Sequence, residues 1–412
     1  MVLQYDSRYF IRSLVQRQTT SLAFVDDLSA IQDFTTTKPL IMLVIYNTMN
    51  YHGSTVSTGT KITVMIDGAD QDGIGVRHGQ FSFATRKNGC TVYYLGTLAA
   101  GDHTVKGRFA IGWGAGQTTI DERQLVIFLF DGAVADWGLA SSSVVRTNAT
   151  NVWADDLDAS VTVNLPEDDM IVLALYSACC GEGDSEGVKG KEIAIQVDAD
   201  SERGLHGQSC PVNSPNGCTT HVIYSTLPAG NHTFDGRFRS NEDTVTVTIR
   251  YRQLAVLVFS PTQLFDQVLD DATQVQWNLP AVGFIDDTPA VVNRNLPGVY
   301  QALILYGNYN VEGTFPWQDD SGRKSAINVD GTDYSEGHQA YDADHNKLGN
   351  TVIHVTELAA GAHTIQGRFS GNFANQTSTI SRRTLSVLYF LPPVAAGPHK
   401  QNVLQKIMHG GL

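Results

Sequence analysis

Leu98-Ala-Ala-Gly-Asp-His-Thr-Val-Lys-Gly-Arg-Phe109 returns as Leu227-Pro-Ala-Gly-Asn-His-Thr-Phe-Asp-Gly-Arg-Phe238. It returns again as Leu358-Ala-Ala-Gly-Ala-His-Thr-Ile-Gln-Gly-Arg-Phe369, at offsets of 129 and 131 residues. Three near-copies at one long step mark three tandem modules, because a fixed period speaks to architecture more directly than any single motif. Other landmarks keep the same step. Arg123, Arg252 and Arg383 each lie 15 residues after the Arg of their Gly-Arg-Phe, and Tyr46, Tyr176 and Tyr306 each close an apolar run. An aromatic-x-Asp-Asp element opens each copy at Phe24, Trp153 and Phe284. The modules therefore read as residues 20–132, 148–260 and 280–392. They are preceded by a segment 1–19, joined by linkers 133–147 and 261–279, and followed by a tail 393–412.

Within a copy the periodicity is that of strands. Leu40 to Tyr46 is a continuous apolar run, as expected of a strand covered on both faces. Ile62 to Ile66 and Thr104 to Phe109 alternate, and no window holds a sustained helical stripe. The expectation is an all-β chain of three tandem β-sandwich or jelly-roll domains. In the signature, Gly101, Gly230 and Gly361 supply a positive-φ turn position. Gly107, Gly236 and Gly367 sit inside a strand, where a missing side chain marks a bulge or close approach, with the Tyr of the apolar run as the candidate neighbour. Leu264, Phe265, Val268 and Leu269 in the second linker could form a short amphipathic helix, as could Val403, Leu404, Ile407 and Met408 in the tail.

The composition is that of a folded domain protein, 42% hydrophobic and 17% charged with 38 glycines. A net charge of -14 argues against nucleic acid or an anionic membrane as partner. The longest apolar run, residues 39–46, is far short of the roughly 20 residues a spanning helix needs, so no membrane insertion is expected. Residues 1–14 carry Asp6, Arg8 and Arg12, which breaks the apolar stretch of a secretory signal and points to synthesis in a cytoplasm. Without that route the sequons at Asn148, Asn231 and Asn375 mean little. Cys179, Cys180, Cys210 and Cys218 crowd the middle third, where a local disulfide such as Cys210 with Cys218, a thiolate metal site or free thiols all stay open.

No catalytic motif rises above background, so no catalytic, cofactor-binding or metal-ligating residue is assigned, and the chain reads as not an enzyme. His103, His232 and His363 have no shared nucleophile beside them and read as structural, each bonded to a turn carbonyl. The pairs Asp26-Asp27, Asp155-Asp156 and Asp286-Asp287 point to opposite strand faces. They suit a turn, or an ion pair either with Arg108, Arg237 and Arg368 or with Arg123, Arg252 and Arg383. Loop carboxylates at Asp67, Asp70, Asp72, Asp198, Asp200, Asp330 and Asp333 could bind calcium but lack the helix-loop-helix pattern. The copies diverge most at residues 47–60, 177–190 and 307–323 and at 111–117, 241–243 and 371–376. If strands alternate in direction, both sets of loops emerge at one end. Tyr51, Trp113, Tyr309, Phe315 and Trp317 lie there as candidate binding aromatics.

The Leu-Pro-Ala-Gly-x-His-Thr and Arg-x-Leu-x-Val-Leu pattern resembles the jelly-roll modules, similar to tumour-necrosis-factor-like domains, of virion structural proteins of tailed phages. The resemblance covers residues 20–392 and implies fold better than role. It implies a virion-surface protein made in the host cytoplasm: a capsid decoration, spike or tail-fibre component. Its partners would be other virion proteins, itself as a homotrimer or an intramolecular pseudo-trimer, and a host surface glycan or protein. A carbohydrate-binding adhesin or lectin is the alternative, and a glycan hydrolase comes after it.

Overall fold

The computed structural model describes residues 5–52, 60–71, 74–76, 87–112, 116–132, 134–180, 190–209, 217–240, 246–273, 275–277, 283–312, 323–339, 349–371 and 378–391. No helix occurs among the described residues. Domain 1 comprises β1 (Tyr5–Ser13), β2 (Arg17–Thr19), β3 (Val25–Thr36), β4 (Leu40–His52), β5 (Thr60–Ile66), β6 (Ala69–Asp70), β7 (Ile74–Val76), β8 (Lys87–Leu98), β9 (Gly101–Ile111) and β10 (Thr118–Phe130). Domain 2 comprises β11 (Val134–Ser142), β12 (Arg146–Asn148), β13 (Ala154–Leu165), β14 (Ile171–Cys180), β15 (Gly190–Val197), β16 (Arg203–Ser209), β17 (Gly217–Tyr224), β18 (Gly230–Ser240) and β19 (Val247–Phe259). Domain 3 comprises β20 (Leu264–Asp271), β21 (Val275–Trp277), β22 (Ile285–Leu296), β23 (Tyr300–Glu312), β24 (Arg323–Val329), β25 (Thr332–Gln339), β26 (Gly349–Leu358), β27 (Gly361–Gly371) and β28 (Ser378–Phe390).

Each domain is two antiparallel sheets face to face. In domain 1 an inner sheet is ordered β1-β10-β4-β8 and an outer one β3-β9-β5-β6. Early strands pair with late ones, β1 with β10 and β3 with β9, which is the nested connectivity of a jelly roll. Domains 2 and 3 repeat it as β11-β19-β14-β17 over β13-β18-β15-β16 and β20-β28-β23-β26 over β22-β27-β24-β25. The expected fold class stands.

The expected boundaries do not. Segments 1–19, 133–147 and 261–279 contain β1 and β2, β11 and β12, and β20 and β21, which lie along β10, β19 and β28 of their own domains. The domains thus run 5–130, 134–259 and 264–390, with connectors only a few residues long. The helix expected at Leu264 to Leu269 is strand β20. Its two faces are both covered: Phe265 packs into the cluster shared by all three domains, and Leu264 and Val268 pack into the domain 3 core. Apolar residues in adjacent pairs rather than alternation follow from double coverage and imitate helical spacing. The helix expected in the tail lies outside the described residues.

Double coverage has one cause, since the inner sheets of the three domains face a common axis. Along β4, Met42, Val44 and Tyr46 fill the domain 1 core, whereas Leu43 and Ile45 join a central cluster with Leu173 and Leu175 of domain 2 and Leu303 and Leu305 of domain 3. Phe130, Phe259 and Phe390 meet there with every pair of ring centroids 5.8 Å apart. The contacts between domains run in one rotational sense. Ser177 Oγ of domain 2 donates to the Thr91 carbonyl of domain 1 at 2.8 Å, and Asn47 Nδ2 of domain 1 donates to the Thr351 carbonyl of domain 3 at 3.2 Å. The third position of that set is Gly307, which has no side chain, and Thr351 Oγ1 of domain 3 reaches the Thr219 carbonyl of domain 2 instead, at 3.4 Å. Head-to-tail contacts that return to their start make a closed ring, here a pseudo-trimer within one chain.

Inside each sandwich a buried charge cluster ties the two sheets together. The pairing of β10 with β4 shifts register between Ile120 and Arg123, and that of β3 with β9 between Asp26 and Ile31. These bulges re-aim side chains, so that Arg123 and Asp27 turn into the core and meet at 2.6 Å, both fully buried. Domains 2 and 3 repeat the pair as Arg252 with Asp156 at 2.6 Å and Arg383 with Asp287 at 2.7 Å. Tyr251 and Arg382, just before the two arginines, have φ of 50° and 55° at their bulges. Tyr46, Tyr176 and Tyr306 donate to the same carboxylates at 3.0, 2.9 and 2.6 Å. Each Tyr ring lies against the strand glycine, as the signature suggested. A Cβ added at Gly107, Gly236 or Gly367 would stand 2.4, 2.6 or 2.3 Å from the ring. Burial pushes the three aspartic carboxyls up while the facing guanidinium pulls them down.

Candidate functional site

The ring has two unlike ends. One carries the tight turns and the connectors between domains, and its geometry repeats threefold. Gly101, Gly230 and Gly361 have φ of 143°, 133° and 132°. His103 Nδ1 meets Asp67 Oδ2 at 2.7 Å, and its Nε2 meets the Ala99 carbonyl at 2.9 Å. The other Asp67 oxygen accepts the Thr104 N–H at 2.8 Å. His232 repeats this with Asp198 and the Pro228 carbonyl, and His363 with Asp330 and the Ala359 carbonyl. The histidines are thus bonded to turn carbonyls as expected, and each also braces a neighbouring turn through a carboxylate. The paired turn residues Asp67, Asp198 and Asp330 sit at φ of 49°, 48° and 51°.

Most of the loop carboxylates named for calcium have protein partners, while Asp72 lies outside the described residues. Asp67, Asp198 and Asp330 are held by histidine and backbone, while Asp70 and Asp333 take Arg108 and Arg368 at 2.6 and 2.7 Å. Among the described residues no group of three or more His, Cys, Asp or Glu could hold a metal ion. Cys179 and Cys218 are buried and form no disulfide among the described residues, and Cys210 lies outside those residues.

Burial opposes charge on Asp67 and Asp330, but the histidine hydrogen bond and a backbone N–H outweigh it and hold both carboxyls below their usual range. Burial likewise opposes charge on His363, and Asp330 with the Ala359 carbonyl raises it above its usual value. A raised folded-state value stabilises fully below the unfolded value of about 6.5 and is lost as pH rises through the folded one. The expected outcome for His363→Gln is therefore a larger loss of urea resistance near pH 6 than near pH 9. An equal loss at both would refute a charged brace.

The acidic pairs resolve by face. Asp26 and Asp286 point outward to Arg108 and Arg368, each at 2.9 Å, and Asp155 to Arg237 at 2.7 Å, while the second Asp of each pair turns inward. Both arginines that the spacing left open are used. The Lys106 hydrogen bond is the foremost cause that holds the Asp26 carboxyl low.

The other end carries the divergent loops. Thr118 pairs with His52, and Thr60 with Ile111, so the loops after β4 and after β9 emerge together. β2 pairs with Thr118 to Ile120, which brings residues 14–24 to the same end. Of the aromatic residues assigned to binding, Tyr51 and Tyr309 fall in the final residues of strands β4 and β23 toward this end, and Trp113, Phe315 and Trp317 lie outside the described residues.

Two features here escaped the sequence reading. Leu14, Val15, Leu22 and Leu28 of domain 1 are exposed, as are Val144, Val145, Val152 and Leu157 of domain 2. Leu28 and Leu157 each follow the second Asp of their pair, at 64% and 68% exposure, where domain 3 has Thr288. The second feature is on domain 2 alone. Arg239 stacks over the ring of half-buried Trp153 at 4.4 Å, and its Nε donates to Glu192 at 2.7 Å. A Trp in the aromatic slot and an Arg two residues after Gly-Arg were visible as departures from the repeat.

No family model matches the sequence, and no curated protein matches it. Among solved structures, the chain is similar to a peptide-N(4)-(N-acetyl-β-D-glucosaminyl)asparagine amidase at 13% identity and a TM-score of 0.35, over 63% of this chain and 98% of that one. It is similar to PNGF-II at 9% identity and a TM-score of 0.31, over 87% and 100%. It is similar to a structure of infectious bursal disease virus, Gt strain, at 6% identity and a TM-score of 0.20, over 95% and 83%. The expectation that the chain is not an enzyme is corrected by the first of these, an amidase. Likeness this slight transfers no activity, residue role or partner.

Proposed function

We propose that the chain is a structural component of a virion surface, made in the host cytoplasm, that acts as a ready-made threefold block. The turn end, where the three copies keep one geometry and the connectors cross, docks on other virion proteins. The loop end faces outward toward the host surface. The observation that carries this reading is the closed ring of three head-to-tail jelly rolls, with the described strand ends that bound the divergent segments of domain 1 at one end. A pseudo-threefold end face offers the same groups three times about one axis, which suits a threefold position in a larger symmetric assembly. Three weak contacts made together reinforce one another through effective concentration. The net charge of -14 is compatible with a protein partner and unfavourable to nucleic acid.

Antibodies raised against the purified protein test the reading. Labelling of intact, washed particles from a producing culture, abolished by competing soluble protein, is the expected result. Labelling confined to the soluble fraction, with bare particles, would overturn it.

A further inference from the structure

The three copies serve as internal controls for one another, and the charges around the buried arginines differ between them. Arg252 of domain 2 meets two carboxylates, Asp156 at 2.6 Å and Asp158 at 2.5 Å. Arg383 of domain 3 also meets two, Asp287 at 2.7 Å and Asp271 at 3.0 Å. In domain 1 Arg123 faces Asp27 at 2.6 Å, but the places of Asp158 and Asp271 are held by Ser29 and Ser13. Domain 2 has a further arginine, Arg146, whose Nε and Nη2 grip the two oxygens of Asp158 at 2.8 and 3.1 Å. Domain 1 keeps that arginine as Arg17, opposite Ile120 as Arg146 is opposite Ile249, whereas domain 3 has Val275 there. Arg17 is thus the guanidinium whose carboxylate is missing. It makes no ion pair among the described residues, and its side chain has there only a long hydrogen bond, 3.4 Å from Nη2 to Ser29 Oγ. Its Nε is buried and bonds to nothing. Asp27 does not serve it, since Oδ2 takes Arg123 and Tyr46 and Oδ1 takes the Ser29 N–H at 3.1 Å. A charged donor kept from water without an acceptor is costly, and an incoming anion recovers that cost.

We infer that Arg17 and Ser29 form a docking site for an acidic side chain, aspartate or glutamate, carried beside aliphatic residues on a partner protein. Domain 2 shows the occupied form within one chain: Asp158 follows the exposed Leu157 and takes the Nε and Nη2 edge of Arg146 through two bonds. A planar carboxylate matches that edge of a guanidinium with two parallel bonds. Ser29 stands where Asp158 does but lacks the carboxyl group, so the same edge is left to a carboxylate from outside once the serine hydroxyl turns aside. The surroundings set the apolar half of the partner. Leu14 and Val15 stand just before Arg17, Leu28 just before Ser29 and Leu22 just after β2, all between 43% and 65% exposed. Exposed aliphatic side chains grouped around one unmatched charge are the pattern of a protein contact, with arginine as its polar anchor. A free inorganic anion would use the guanidinium and leave these side chains in water, whereas an acidic residue in an apolar segment covers both.

The inference gives the outward role of the loop end its chemistry and rests on that role; binding is measured on the free protein, so it and the particle labelling can fail separately. The full chain is titrated with acetyl-Leu-Asp-Ala-amide, the sequence of residues 157–159, and with its Leu-Asn-Ala counterpart, read by saturation-transfer NMR of the peptide. Two variants install what the other copies carry: Arg17→Val the residue of domain 3, and Ser29→Asp the residue of domain 2. The Asp peptide is expected to bind the parent chain and the Asn peptide about tenfold more weakly, since a hydrogen bond to a charged group is worth that factor or more. Arg17→Val should abolish binding. Ser29→Asp should abolish it as well while raising the urea midpoint, because it supplies the carboxylate from within the chain, and that gain separates a filled site from a damaged fold. Absence of binding to the parent chain, equal binding of the Asn peptide, or binding that survives both substitutions overturns the assignment. Complete displacement of the peptide by an equal concentration of inorganic phosphate would make this a site for small anions and overturn it too.

Discussion

Arg252→Met is expected to cost domain 2 about 3–5 kcal/mol, read as a lowered urea midpoint. The side chain is fully buried, and its Nε faces Asp156 at 2.6 Å. It also bonds Asp158 and the Val144 carbonyl, so it joins the strand start of the outer sheet to the segment that follows β11. Methionine fills much of the volume and leaves Asp156 without its cation inside the sandwich. Tyr176 donates one hydrogen bond at 2.9 Å but supplies no charge. A carboxylate in that position must take up a proton or drag water in, and either is expensive. The double variant Arg252→Met with Asp156→Leu removes both charges and should recover much of the loss, since buried pairs often break even against apolar packing. If the single substitution cost less than about 1 kcal/mol, the cluster would not be what ties the sheets together.

Phe259→Asp is expected to open the ring while leaving each sandwich formed. Phe259 is fully buried, and its ring stands 5.8 Å from those of Phe130 and Phe390. Loss of a buried Phe alone costs roughly 3–5 kcal/mol, and a charge among apolar rings adds several more. β28 has no covalent link to β1, so the seam between domains 3 and 1 should part first. The radius of gyration should then rise while the far-ultraviolet spectrum keeps its strand signature. Phe259→Leu keeps the site apolar and should hold the ring closed. An unchanged radius in the aspartate variant would mean that the axis contributes little to holding the domains together.

The architecture was legible because the repeat turns one ambiguous pattern into three aligned ones. The Leu40 to Tyr46 run reads as a doubly covered strand and is one. The glycine of Gly-Arg-Phe marks a close approach, and the Tyr ring is what approaches. The segments around β1, β11 and β20 were not legible, because these edge strands share little sequence from copy to copy. They are specified by the apolar strand they lie along rather than by their own alternation. Which arginine meets which aspartate was open because spacing along the chain does not say which face each side chain takes, and bulges in β3 and β10 decide the matter. A bulge leaves no mark in composition. The braces of Asp67 to His103 join residues 36 positions apart across a turn that spacing alone does not close. At the loop end, the readings that rest on Trp113, Phe315 and Trp317 fall outside the described residues. The Trp153 cluster shows only when the register places Glu192 beside Arg239.

The closed single-chain ring is the claim on which the rest depends, and light scattering with small-angle X-ray scattering on the purified protein tests it most directly. The account predicts a monodisperse particle of one chain's mass, 44.8 kDa, with a radius of gyration near the roughly 22 Å of a compact chain of this length. A mass three times larger with an elongated profile would contradict it, since the domains would then be beads stacked in tiers and the threefold axis would run between chains.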